Sequence, residues 1–172
     1  MTLVGVISDT HMRLDVRAYN ALADCDAIIH AGDIGDPTIL RELRTLAPVH
    51  AVLGNNDFLE YGADVGRFAR PTIDGVRFLV AHYPNDVRLA SLGRRGLRAG
   101  DPIPHVCIHG HTHIARLIWG AEARPASFVL CPGSATWPRD GRPPSIAKIG
   151  IEDGAVTFIR VESLKGDVLL SI

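Results

Sequence analysis

Five short apolar runs in this chain each end in side chains able to hold a divalent metal ion. The first ends in Asp9-Thr10-His11, the second in Gly32-Asp33 and the third in Gly54-Asn55-Asn56-Asp57. The fourth, Phe78–Ala81, ends in His82, and the fifth in Gly110-His111-Thr112-His113. Mixed carboxylate, imidazole and amide donors suit borderline divalent ions such as Mn, Fe, Zn or Ni. Seven candidate donors exceed the need of one tetrahedral site. They suffice for two ions if one carboxylate bridges. Two ions about 3.5–4 Å apart clamp the attacking and leaving oxygens of an in-line displacement, and they acidify a shared water into a hydroxide nucleophile. Phosphoryl transfer asks mainly for positioning and charge neutralisation, so such a site needs no covalent nucleophile.

Each cluster alone has an ordinary structural reading. Asp-x-His is usually a cap or turn pair, Gly32-Asp33 a common turn, and Gly54-Asn55-Asn56-Asp57 a loop prone to left-handed backbone. His82 alone reads as a hydrogen-bonded, partly buried histidine. The pair His111 and His113 has the least structural purpose. Five clusters, each at the end of an apolar run, weigh together for metal.

The runs themselves set the expected architecture. Leu3–Ser8, Ala27–His30 and Val49–Leu53 are short, buried-strand segments. Between them, Arg17–Ala23 and Pro37–Leu46 carry helical spacing, the second opening on a proline suited to a first turn. Apolar strands alternating with helices argue for a parallel, βαβ-type sheet. Farther on, Arg67–Ile73 and Val76–Ala81 flank Asp74-Gly75, a two-residue hairpin signal. A helix is expected around Val87–Arg94 and a strand at Val106–His109. Ala115–Trp119, Ser127–Leu130, Ile146–Ile151 and Ala155–Val161 read as antiparallel strands, with Asp153-Gly154 a second hairpin turn. Ligand sites in open α/β sheets form beyond the carboxyl ends of strands, where all five clusters stand.

Composition narrows the function. The chain has 172 residues, a length that predicts a single domain spanning 1–172 with a full core. A formal net charge of -1 gives no case for gripping nucleic acid or a membrane surface. Cys25, Cys107 and Cys131 are scattered, apolar-flanked and odd in number, which predicts buried thiols without disulfides. The opening residues lack a basic n-region and a long apolar h-region, and no run is long enough to span a bilayer, so a cytoplasmic location is expected.

The ordered set Asp-x-His, Gly-Asp, Gly-Asn-x-Asp, His and Gly-His-x-His resembles the calcineurin-like metallophosphoesterase superfamily. The compact length, and the stretch Cys131-Pro-Gly-Ser-Ala-Thr-Trp-Pro-Arg139, resemble its small YfcE-like phosphodiesterase branch, which also includes the eukaryotic retromer's metallophosphoesterase-fold subunit. The resemblance runs from Ser8 to Ile151. It implies an α/β fold, a four-layer αββα sandwich of two mixed sheets flanked by helices. It implies two divalent ions, Mn the first to try, with Ni, Fe, Zn, Co and Mg as others. One ion would be held by Asp9, His11, Asp33 and His113, the other by Asp33, Asn55, His82 and His111, with Asp33 bridging. A bridging hydroxide would hydrolyse a small phosphodiester substrate. Relatives point to a dimer or higher homo-oligomer.

Two departures stand out. Larger members read Gly-Asn-His, and that histidine protonates the leaving group; Asn56 takes this catalytic position here. An amide supplies no proton at neutral pH, and losing general acid catalysis typically costs about 10²–10⁴-fold. Esters with good leaving groups are therefore the expected substrates. The usual His-Gly-His reads His82-Tyr83-Pro84 here, which keeps the ligand and changes its neighbour. Retention of every ligand position argues for metal binding, and an active enzyme is the first reading; the lost histidine favours the alternative, a protein-binding scaffold on the same fold. A phosphomonoesterase is a third reading.

The remaining polar residues are less decided. His30 and His109 precede motif residues within strands and read as supports, not ligands. His50 and His105 begin strands and read as exposed or packed. Arg139 stands evenly between a turn arginine and a phosphate-binding fork. Arg94, Arg95 and Arg98 read as a solvated helix end. Trp119 and Trp137 fit either core or interface.

Overall fold

The computed structural model describes residues 1–93 and 100–172. Its first sheet contains β1 (Thr2–Ile7), β2 (Ala27–His30), β3 (Val49–Ala51), β10 (Ser145–Glu152), β11 (Ala155–Ser163) and β12 (Val168–Ser171), in the order β12-β11-β10-β1-β2-β3. β1, β2 and β3 run parallel, and β10 joins β1 antiparallel. The second sheet contains β4 (Phe68–Ala69), β5 (Thr72–Ile73), β6 (Val76–Ala81), β7 (Val106–Ile108), β8 (Arg116–Trp119) and β9 (Phe128–Cys131), in the order β4-β6-β7-β9-β8, with β5 paired to β6 off that path. Here β6, β7 and β9 run parallel, while β4 and β8 are antiparallel edges.

Three apolar clusters make the four layers. Val4, Val6, Ile29 and Ile149 of the first sheet meet Phe78, Val80, Ile108 and Leu130 of the second in the central core. The outer face of the first sheet, Ile7 and Ile28, packs on Ala18 and Leu22 and on Ile39, Leu40 and Leu43. Those residues belong to or adjoin α1 (Val16–Ala21) and α2 (Pro37–Leu43). The outer face of the second sheet packs Leu79 and Ala81 on Val87 and Ala90 of α3 (Pro84–Ser91). Strands buried on both faces explain the continuous apolar runs. The expected αββα sandwich of two mixed sheets is what the chain forms.

Local chemistry explains the boundaries. Asp15 and Asp36 cap α1 and α2, their carboxylates accepting from Arg17 N and Thr38 N. Asp74-Gly75 and Asp153-Gly154 both place two successive residues at positive φ, as two-residue hairpins require. The segment expected as one strand over 67–73 is two, β4 and β5 (Thr72–Ile73), because Pro71 between them has no N–H to donate. The helix expected from Val87 starts three residues earlier, with Pro84 in its first turn, and Arg94 lies outside the described residues, as do Arg95 and Arg98. β12 was not expected; its four residues show no alternation to read. The three cysteines are free and buried, and burial raises the Cys25 and Cys107 thiols to about 12 and Cys131 to about 11.

Candidate metal centre

Every candidate ligand lies just past the carboxyl end of a parallel strand: Asp9 and His11 after β1, Asp33 after β2, Asn55 after β3, His82 after β6, His111 and His113 after β7. The loops carrying them are tightly drawn. Asp9, His11, Asp33, His111 and His113 all have positive φ, between 45° and 67°. That region is uncommon for residues other than glycine and is enriched at functional sites, where surrounding structure must enforce it. The enforcement is visible. Asp9 N donates to Gly32 O (3.0 Å), His11 N to Asp33 O (3.0 Å) and Met12 N to Ile34 O (2.9 Å). Two motif glycines are required by space. A Cβ on Gly54 would land on the Asp33 carboxylate, and one on Gly110 would land on Ser8 Oγ beside the Asp9 carboxylate.

The side chains gather in two adjoining groups. In the first, Asp9, His11, Asp33 and His113 bring one donor atom each within 4.8 Å of one another. His113 Nε2 lies 3.2 Å from Asp9 Oδ1 and 3.2 Å from His11 Nε2. In the second, Asn55 Oδ1 lies 3.1 Å from His82 Nε2 and 2.9 Å from His111 Nδ1. Asp33 touches both groups. Its Oδ2 is 3.7 Å from His11 Nε2, and its Oδ1 is 3.5 Å from His82 Nε2.

The donor set fits cations. His82 Nδ1 donates to Ala31 O (2.8 Å) and His113 Nδ1 to Trp137 O (2.7 Å). Those carbonyls fix each ring and leave Nε2 turned inward, the arrangement that orients metal-ligating histidines. Among the described residues, Asp9 Oδ1 is the buried side-chain atom with no well-aligned hydrogen bond; it faces the imidazole nitrogens of His113 (3.2 Å) and His11 (4.0 Å). A buried carboxylate oxygen held this way among imidazole nitrogens suits a cation that meets both.

Charges in the metal-free site follow from these contacts. Burial pushes the Asp9 carboxyl up, but contacts with His113 and Ser8 and the nearby imidazoles outweigh it, so its pKa falls. The His113 pKa is raised, chiefly by the Asp9 contact. Burial lowers the pKa of His11 and of His111. A metal needs the neutral imidazole, so a proton held on His113 competes with it. Metal affinity is expected to fall as pH drops through the raised His113 value. Calorimetric titration with Mn in buffers of different ionisation enthalpy should give different apparent heats; identical heats would contradict this.

Other residues support the loops. Gly32 N donates to His30 Nδ1 (3.2 Å), so His30 Nε2 carries the proton and donates to Thr10 Oγ1 (3.0 Å). Thr10 Oγ1 in turn donates to Ile34 O (3.0 Å). A second proton on His30 would face the Gly32 N–H, and burial lowers its pKa to about 4. His109 donates to Gly110 O. Asn56 is placed as a clamp on Asp33: its N donates to Oδ1 (2.9 Å) and its Nδ2 to Oδ2 (2.7 Å). Arg139 is exposed, its backbone N donating to His113 O (3.1 Å). Asp57 has a structural part that its sequence motif alone does not reveal. Its Oδ2 accepts from Gly54 N (2.8 Å) and Ile34 N (3.1 Å), and its Oδ1 from Gly35 N (2.8 Å) and Tyr61 Oη (3.0 Å). It ties the loop after β2 to the loop after β3. Its place at the end of Gly-Asn-Asn-Asp was the available signal.

Residues 2–154 match the family model described as the calcineurin-like phosphoesterase superfamily domain. The chain belongs to the calcineurin-like phosphoesterase superfamily. A probable metallophosphoesterase of Methanothermobacter thermautotrophicus is 34% identical over 96% of this chain and 89% of its own length. Among solved structures, Vps29 of Entamoeba histolytica complexed with zinc is 22% identical, with a TM-score of 0.76, over 99% of this chain and 98% of its own. A structure described as a novel archaeal phosphodiesterase is 23% identical, with a TM-score of 0.68, over 93% and 99%. These two share the superfamily fold. Among the described residues no helix is long and apolar enough to cross a membrane.

Proposed function

We propose that residues 1–172 form one binuclear, metal-dependent phosphodiesterase domain acting on small phosphoesters. Asp9, His11, Asp33 and His113 would hold one ion, and Asp33, Asn55, His82 and His111 the other. The observation carrying this reading is the Asp33 carboxylate, which offers one oxygen to each of two donor groups. When bound, two such ions neutralise the phosphoryl oxygens and acidify the attacking water; Mn is the ion to try first.

The chain's own groups do the rest. His82 and His113 each give Nδ1–H to a backbone carbonyl, which turns Nε2 toward the site; with Nε2 on an ion, neither ring would carry a proton to the substrate. Asn56 donates its backbone N–H and one Nδ2–H to Asp33, and an amide gives up no proton to a leaving oxygen at neutral pH. Arg139, exposed beside His113, suits a phosphate oxygen. Aryl phosphodiesters should therefore be cleaved about 10²-fold or more faster than alkyl ones. Steady-state rates of Mn-loaded protein on bis(4-nitrophenyl) phosphate and on a dialkyl phosphate test this; equal rates would contradict it.

A protein-binding scaffold on the same fold is the second reading. Met12 and Phe58, each 73% exposed beside the site, favour it.

A further inference from the structure

The geometry points to Trp137 as a specificity-determining residue: its exposed indole is a platform for a planar aromatic ester arm of the substrate. This rests on the phosphoesterase reading above. Trp137 is 61% exposed, an unusual state for the largest apolar side chain, and it lies at the edge of the candidate metal centre. Its ring stacks on His11, with centroids 4.9 Å apart and planes 25° from parallel. One face is thus taken by the site, and the rest of the ring is open to a ligand.

The ring is anchored to the site as well as near it. Trp137 N donates to Ser134 Oγ (2.9 Å), and Ser134 Oγ donates to Asp9 O (2.9 Å). Trp137 O accepts from His113 Nδ1. The platform is therefore fixed relative to three candidate ligands: Asp9, His11 and His113. Met12 and Ile114, exposed and next to His11 and His113 in the chain, extend its apolar character. Arg139, two residues on in the chain, is exposed, and its backbone N donates to His113 O. An exposed aromatic plate adjoining the proposed phosphoesterase centre matches a phosphoester that carries an aromatic ring. An alkyl arm gains little from it, since stacking requires a π-face.

Binding and turnover test this separately. Trp119 lies at the distant β8 edge, so a Trp119→Phe background leaves Trp137 as the chain's one indole. In Mn-loaded protein, diphenyl phosphate should change its emission and bind about tenfold more tightly than diethyl phosphate. Trp137→Leu should reduce the kcat/KM preference for bis(4-nitrophenyl) phosphate over ethyl 4-nitrophenyl phosphate about tenfold, and Trp137→Phe should restore most of it. Equal affinity for the two phosphates, with a preference unchanged in Trp137→Leu, would overturn the platform; that is the result expected if the patch instead seats a protein. Selective diphenyl phosphate binding without Mn-dependent turnover would keep the platform and refute the phosphoesterase reading.

Discussion

The Asp33→Asn protein is expected to lose metal and hydrolysis together. Asparagine keeps the size of the side chain but removes the negative charge between the two donor groups. It also replaces one acceptor oxygen with an NH₂. Asn56 donates to both oxygens of Asp33, so that NH₂ would meet an N–H across 2.7–2.9 Å. The amide cannot serve both groups, and two dications would face one fewer carboxylate. Activity should fall at least about 10³-fold, the scale of removing a central electrostatic contact from a reacting centre. Metal bound per chain, read by elemental analysis after gel filtration, should fall to one ion or none. The far-ultraviolet circular dichroism should remain, because Asp33 lies outside every strand and helix. Full activity in this variant would remove Asp33 from the site.

The second large effect concerns stability. Asp57→Ala removes a carboxylate that accepts four hydrogen bonds and leaves three backbone N–H groups and the Tyr61 hydroxyl unmet. Hydrogen bonds to charged groups contribute about 1.5–3 kcal/mol each, and they do not add fully. A loss of about 4 kcal/mol is expected, which lowers Tm by roughly 8–16 °C for a domain of this size. Asp57→Asn should recover part of it, since one oxygen remains to accept. The loops after β2 and β3 carry Asp33 and Asn55, so metal affinity should fall with stability. A Tm within 2 °C of the parent would show that these bonds are replaced by water at little cost.

Much of this was legible in the sequence because the strands are buried on both faces. Such strands read as apolar runs, and their ends mark the candidate ligand positions without any knowledge of the sheet. The hairpins were legible through Asp-Gly pairs, which select positive φ. What stayed hidden depended on contacts distant along the chain. Pro71 splits a strand only because its neighbours must pair with β6. β12 exists because β11 offers it an edge. The part of Asn56 in holding Asp33 follows from a 23-residue separation that no local pattern encodes. Asp57 was visible as a residue, but its four donors come from three loop segments. The exposure of Trp137 and its stacking on His11 are likewise set by tertiary structure.

The most direct measurement is hydrolysis of bis(4-nitrophenyl) phosphate by metal-stripped protein, with and without added Mn, beside a His111→Ala control. Turnover that appears with Mn and is lost in the control is the predicted result. Folded protein that shows no turnover with Mn, Ni, Co, Zn, Fe or Mg would contradict the phosphodiesterase assignment and favour the scaffold.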